Sequence, residues 1–149
     1  MEAILFMGVQ ASGKSSFFRE RFFTTHMRIN LDMLKTRYRE RQLLDVCLES
    51  ELRFVVDNTN PTRAERQVYI EAAKSHRFQV IGYYFQSQVD SCKARNALRP
   101  VLEQVPLPGL LGTYARLELP AWEEGFDQLY YVRMIENGFE VEEWHHEVR

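Results

Sequence analysis

The sequence predicts an α/β protein with a parallel sheet flanked by helices, and two observations carry that reading. Short apolar runs alternate with stretches of helical pattern, the signature of repeated strand and helix units. The first of these runs leads straight into a glycine-bounded loop, so its helix follows without a hairpin.

Residues 3–7 ("AILFM") read as a buried strand, followed by a loop and a helix to about residue 23. Residues 28–30 form a short strand, and a long helix is expected from Met33 toward Leu48. The run 53–57 ("RFVVD") is the next buried strand. Asn60 then reads as an N-cap with Pro61 at the first helical position, opening a helix to about Ser75. Residues 78–85 give a further strand and 89–99 a helix that Pro100 ends. Residues 100–108 are proline-punctuated and fit a mobile lid, so the lid as a whole is placed at about 95–110, with a helix over 110–118 behind it. Between 128 and 144, Asn137-Gly138 separates two β-rich runs and predicts a type I′ hairpin covering a sheet edge.

At 149 residues and 45% hydrophobic content the chain is expected to form one domain over 1–149, burying roughly two-thirds of its unfolded surface. A net charge of −2 gives no global field for an extended polyanion such as duplex DNA, so any nucleic-acid contact should be small and local. Basic residues gather between Arg19 and Arg41, and acidic ones from Glu118 onward. Cys47 and Cys92 match no paired ligand spacing and read as inert thiols of a cytoplasmic protein. His26, His76, His145 and His146 likewise form no ligand motif and read as surface or structural. The start of the chain does not have the form of a signal peptide, and no run reaches membrane-spanning length, so no membrane is expected as a partner.

Gly8-Val9-Gln10-Ala11-Ser12-Gly13-Lys14-Ser15 satisfies G-x-x-x-x-G-K-[ST] between a strand and a helix. The two glycines let the backbone curl until its N–H groups face a phosphate, with Ser16 continuing into the helix. Lys14 reaches for the β- and γ-phosphates, and the Ser15 hydroxyl is placed to ligate Mg²⁺. ATP or another nucleoside triphosphate is the expected ligand, and the fold expected around it is the three-layer P-loop NTPase type. Asp57, closing a strand, either holds the metal through water or orients Lys14 and Ser15; its alternative is to cap the turn over 58–61.

Asp32 also stands at a strand end, where it reads either as an N-cap or as a base opening onto the same crevice. Lys35 follows three residues later, where a capping box would have Glu or Gln. A cation in a first helical turn opposes the helix dipole, which makes sense if a substrate phosphate comes to that end. Asp32 with Lys35 thus suggests a site for an alcohol beside a phosphate. Arg95 and Arg99, four apart on one expected helical face leading into the lid, are candidates to clamp the triphosphate; a solvated arginine face is the plainer alternative.

In order along the chain, "GVQASGKSS", "INLDMLK", "VVDNTNP", "CKARNALR" and "VPLPGLLGTYARLELPAWEEGF" resemble the 5′-hydroxyl polynucleotide kinases, including the phage enzyme and the kinase domain of polynucleotide kinase-phosphatases. The resemblance runs from the P-loop to about Val132. It implies Asp32 as general base, Lys35 as a substrate-phosphate contact, Asp57 as an active-site acid, and Arg95 and Arg99 as lid arginines acting with Lys14. The acceptor implied is a 5′-hydroxyl end of DNA or RNA. Leu31 stands where the family often has Arg, and Lys35 where some members have Arg. The loop also lacks the frequent Pro-Gly interior. No Asp-x-Asp-x-Thr phosphatase motif occurs, so a stand-alone kinase module is expected. Two other functions fit the same residues: a kinase of a small alcohol such as a sugar acid or nucleoside, and a nucleotide-binding module with no acceptor.

Overall fold

The computed structural model describes residues 1–145, so the expectation for His146 lies outside the described residues. Strands β1 (Glu2–Met7), β2 (Met27–Ile29), β3 (Phe54–Val56), β4 (Gln79–Phe85), β5 (Gln128–Ile135) and β6 (Gly138–Glu143) form one sheet in the order β2-β3-β1-β4-β5-β6. The first five are parallel and β6 is antiparallel at the edge. Ile4 of β1 pairs with Val55 on one side and Ile81 on the other, so the strand that feeds the P-loop is central.

The period-2 alternation of β1 sorts its side chains between two cores. Ala3, Leu5 and Met7 face a cluster with Ile29, Val56, Tyr69 and Tyr84. Ile4 and Phe6 face Phe17, Phe18, Phe85 and Val132 on the other side. The first face is covered by α3 (Arg37–Glu49), α4 (Arg63–Ser75), α5 (Val89–Ala97) and α6 (Leu107–Arg116), which contribute Leu44, Ile70, Cys92 and Leu110. The second is covered by α1 (Lys14–Arg21) through Phe17 and Phe18. This is the mixed six-stranded sheet, flanked by helices, of a P-loop NTPase-like α/β fold. Cys47 and Cys92 are free, and burial pushes both thiols up. No helix among the described residues is long and apolar enough to cross a membrane.

Local expectations are corrected in four segments. The helix expected from Met33 is two helices: α2 (Leu31–Leu34) starts two residues earlier, and Lys35 breaks the chain at φ +78° before Thr36 caps α3. The α2 cap is Asn30, whose side chain accepts from Met33 N, so Asp32 sits in the first turn and is not the cap. The cap of α4 is Thr62 rather than Asn60, because Thr62 and Glu65 complete a capping box. Asn60 instead takes φ +44° and donates Nδ2 to Phe6 O.

The third correction concerns residues 89–118. Helix α5 ends at Ala97 with Leu98 as its C-cap, so Arg99 lies beyond the helix and shares no face with Arg95. Helix α6 begins at 107, Pro108 being tolerated in its first turn. The fourth concerns the hairpin. The hairpin forms between β5 and β6, but Ile135 pairs with Gly138, leaving Glu136 and Asn137 as the loop, and neither takes the positive φ of a type I′ turn; Gly138 follows the loop at φ +149°. Strand β5 is moreover an interior parallel strand, and β6 alone is the edge.

Candidate active site

The loop after β1 lies at the carboxyl edge of the sheet, where β3 and β4 flank it. Gly8 sits at φ +153°, where a Cβ would come 3.1 Å from Phe85 O, and its N–H donates to Thr59 O at 3.0 Å. Val9 N–H donates to Ser87 Oγ at 3.0 Å. Gln10 reaches α6, its Nε2 donating to Thr113 Oγ1. Ala11 takes φ +62°, and Gly13 at φ +102° caps α1 with no side chain over the helix amides.

Lys14 is buried, and its ammonium donates to Gly8 O at 2.9 Å and Val9 O at 2.8 Å. Burial lowers it from its ordinary 10.5 to about 8, against the pull of Asp57 and, more weakly, Asp32, while Arg99 lowers it further. Charges of both signs therefore converge on this one ammonium.

Asp57 follows β3 and is 2% exposed. Ser15 Oγ donates to its Oδ2 at 3.3 Å, Arg28 Nε donates to the same oxygen at 2.8 Å, and Arg28 Nη2 donates to Ser15 Oγ at 3.0 Å. A hydroxyl and a carboxylate so close are hard oxygen donors that suit Mg²⁺ once nucleotide phosphates complete the shell. No group of three or more His, Cys, Asp or Glu among the described residues could hold a metal unaided.

Asp32 is exposed, and among the described residues its carboxylate has no hydrogen-bond or ion-pair partner. Its helix is fixed from below. Asn30 Nδ2 donates to Asp57 O at 2.6 Å, and Leu31 N–H donates to Asn58 Oδ1 at 2.8 Å. Asn58 Nδ2 in turn donates to the buried Glu40 at 2.9 Å, which also accepts from Tyr69 OH and Arg37 Nη1. Burial and the Glu40 carboxylate push the Tyr69 hydroxyl up, so it stays a donor.

A cleft of about 680 Å³ gathers Gln10, Ala11, Lys14, Ser15, Asp32, Asp57 and Arg99 along its wall. Ser12 and Arg95 line a separate recess of about 110 Å³. Arg95 braces the loop, its Nε donating to Ala11 O at 2.6 Å. Ser16 and Lys35 line neither space; Lys35 is exposed at the kink between α2 and α3 rather than in a first helical turn. Sequence reasoning missed Arg28 and Glu40 as parts of the site. Neither belongs to a motif, and only the pairing of β2 with β3 and the packing of α3 on Tyr69 bring them in.

A phosphate-cradling loop on the central strand of a parallel sheet, with a serine and a strand-end aspartate beside it, defines a P-loop nucleotide-binding domain. The chain belongs to the AAA_33 family, described as an AAA domain, whose model matches residues 4–108. It is 29% identical over 129 residues to a bifunctional polynucleotide phosphatase/kinase of Schizosaccharomyces pombe, covering 84% of this chain and 32% of that protein. A putative bifunctional polynucleotide phosphatase/kinase of Acanthamoeba polyphaga mimivirus is 26% identical over 135 residues, 86% of this chain and 32% of that one. The chain thus spans about a third of the length of the curated relatives it matches. A sugar kinase of Janibacter sp. HTCC2649 shares the fold, with a TM-score of 0.68 at 16% identity, over 88% of this chain and 85% of that one. The chain is therefore a P-loop domain of the AAA_33 family, similar over most of its length to part of two polynucleotide phosphatase/kinases.

Proposed function

We propose that this chain transfers the γ-phosphoryl group of ATP to a 5′-hydroxyl end of DNA or RNA. The observation that carries the proposal is that Asp32, Arg99, Lys14, Ser15 and Asp57 all line one cleft at the carboxyl edge of the sheet. A nucleotide-binding module needs Lys14 and Ser15 but has no use for an unpartnered carboxylate facing them.

The loop amides and Lys14 hold the β- and γ-phosphates, the ammonium exchanging its bonds to Gly8 O and Val9 O for phosphate oxygens. Mg²⁺ would be held by Ser15 and Asp57 and would draw charge from the β- and γ-phosphates. Asp32 orients the 5′-hydroxyl and accepts its proton as the oxygen bonds to the γ-phosphorus and ADP leaves, a contribution of typically ~10² to 10⁴ in rate. Arg99, on the lid segment, neutralises charge on the transferring group. Arg95 acts from behind by shaping the loop through Ala11 O. Lys35, outside the cleft wall, meets a phosphate further along the acceptor. The two free thiols fit a reducing, cytoplasmic setting.

The sequence likeness to two polynucleotide phosphatase/kinases supports the choice of acceptor over a small alcohol. The test is transfer from γ-labelled ATP to an oligonucleotide carrying a 5′-hydroxyl, with the same oligonucleotide 5′-phosphorylated as control. Label on the first alone is expected; label on neither would reject the proposal.

A further inference from the structure

Arg28 has no part in the mechanism above, yet its guanidinium holds the two oxygens assigned to the metal. Nε donates to Asp57 Oδ2 at 2.8 Å and Nη2 donates to Ser15 Oγ at 3.0 Å. The Asp57 side chain is 1% exposed, whereas that of Arg28 is 29% exposed and so has a path outward. Pleat alternation on β2 explains the placement. Ile29 packs into the core, while Arg28 turns to the opposite face, its guanidinium 5.8 Å from the Phe18 ring centroid.

The arrangement pairs Asp57 Oδ2 without a metal. A carboxylate this deeply buried is costly unless paired, and Arg28 supplies the counter-charge. Ser15 Oγ donates its one proton to Asp57 and accepts from Arg28, so one of its two lone pairs is taken by the guanidinium. With the guanidinium 2.8 Å from Asp57 Oδ2 and 3.0 Å from Ser15 Oγ, a divalent cation coming onto the same two oxygens meets a positive charge at close range, and like-charge repulsion sets the two in competition.

We infer that Arg28 is a built-in counter-cation occupying the divalent-metal position between Ser15 and Asp57, and that it withdraws when a metal nucleotide binds. This rests on the reading of the cleft as a metal-nucleotide site. Arg28 then sets the metal requirement: the apparent affinity for the cation is reduced by the fraction of molecules in which the guanidinium is seated. It also keeps the P-loop and β3 joined between turnovers.

The test measures Mn²⁺ binding by electron paramagnetic resonance in the presence of ADP, in the wild type and in Arg28→Met. The variant should bind Mn²⁺ about tenfold tighter, the gain expected if roughly nine in ten molecules have the arginine seated. Equal or weaker binding overturns the inference while leaving the nucleotide reading intact. Absence of Mn²⁺ binding in both chains overturns the two together. A second measurement needs no uncharged variant to fold. The Arg28 Nε–H resonance, assigned by its loss in Arg28→Lys, should shift when Mg²⁺ and ADP are added to the wild type, and an unmoved resonance overturns the withdrawal.

Discussion

Replacing Asp32 with Asn separates chemistry from structure at the residue on which the proposed reaction turns. Asn30, not Asp32, caps α2, and the Asp32 carboxylate holds no hydrogen bond among the described residues. The structural loss is therefore limited to a first-turn charge, worth about 0.3–1 kcal/mol at most, or roughly 1–4 °C in Tm. Asparagine keeps the shape but accepts no proton, so the chemical step should slow by ~10² to 10⁴, about 3–5 kcal/mol of barrier. Lys14 feels Asp32 only as the weakest of the charges acting on it, so nucleotide affinity should change by no more than about threefold. The assay is single-turnover transfer of labelled phosphate to a 5′-hydroxyl oligonucleotide, with melting and ATP binding measured on the same samples. A turnover rate within threefold of wild type, in a folded variant, would remove Asp32 from the mechanism.

Other consequences are as specific. Arg66 is fully buried, forks onto Glu124 at 2.8 and 3.0 Å and donates to Asn60, Pro61 and Glu118 carbonyls; Arg66→Met should cost about 3–5 kcal/mol in chemical denaturation by breaking this buried pair and leaving Glu124 with only the more distant Arg63 as a cation. Burial holds Lys14 near 8 in the free protein, so the charged form is full below that pH and lost above it. Triphosphate affinity should accordingly be flat from pH 6 to 7.5 and fall by up to about tenfold per unit above 8, with proton uptake on binding near pH 8.5, read by calorimetry in buffers of different ionisation enthalpy. Ala11 at φ +62° carries about 1 kcal/mol of backbone strain, so Ala11→Gly should leave nucleotide binding intact and raise Tm by a few degrees.

The P-loop could be read from the chain because its chemistry is contiguous: two glycines, a lysine and a serine between a strand and a helix are all the geometry requires. Asp57 could be placed just past β3 from the same local pattern, whereas Asp32, expected at a strand end, lies in the first turn of α2, three residues beyond β2. What escaped depended on partners far along the chain. Arg28 meets Ser15 and Asp57 only once β2 lies beside β3, and Glu40 meets Tyr69 across two helices. Local competition misled elsewhere. Thr36 and Thr62 both took caps that the apolar pattern had blurred, which split one helix and delayed another. The run 128–135 looked like half of a hairpin laid over a sheet edge, and its parallel pairing with β4 has no local mark in the sequence. Arg95 and Arg99 were separated by a helix end two residues earlier than Pro100 suggested.

The central claim is the nature of the acceptor, and one comparison addresses it directly: kcat/KM for a 5′-hydroxyl oligonucleotide against those for a free nucleoside and a sugar acid, under the same ATP and Mg²⁺. At least a hundredfold preference for the oligonucleotide is expected, about 2.7 kcal/mol of transition-state binding from phosphates that the small acceptors lack. Preference for the nucleoside or the sugar acid would contradict it.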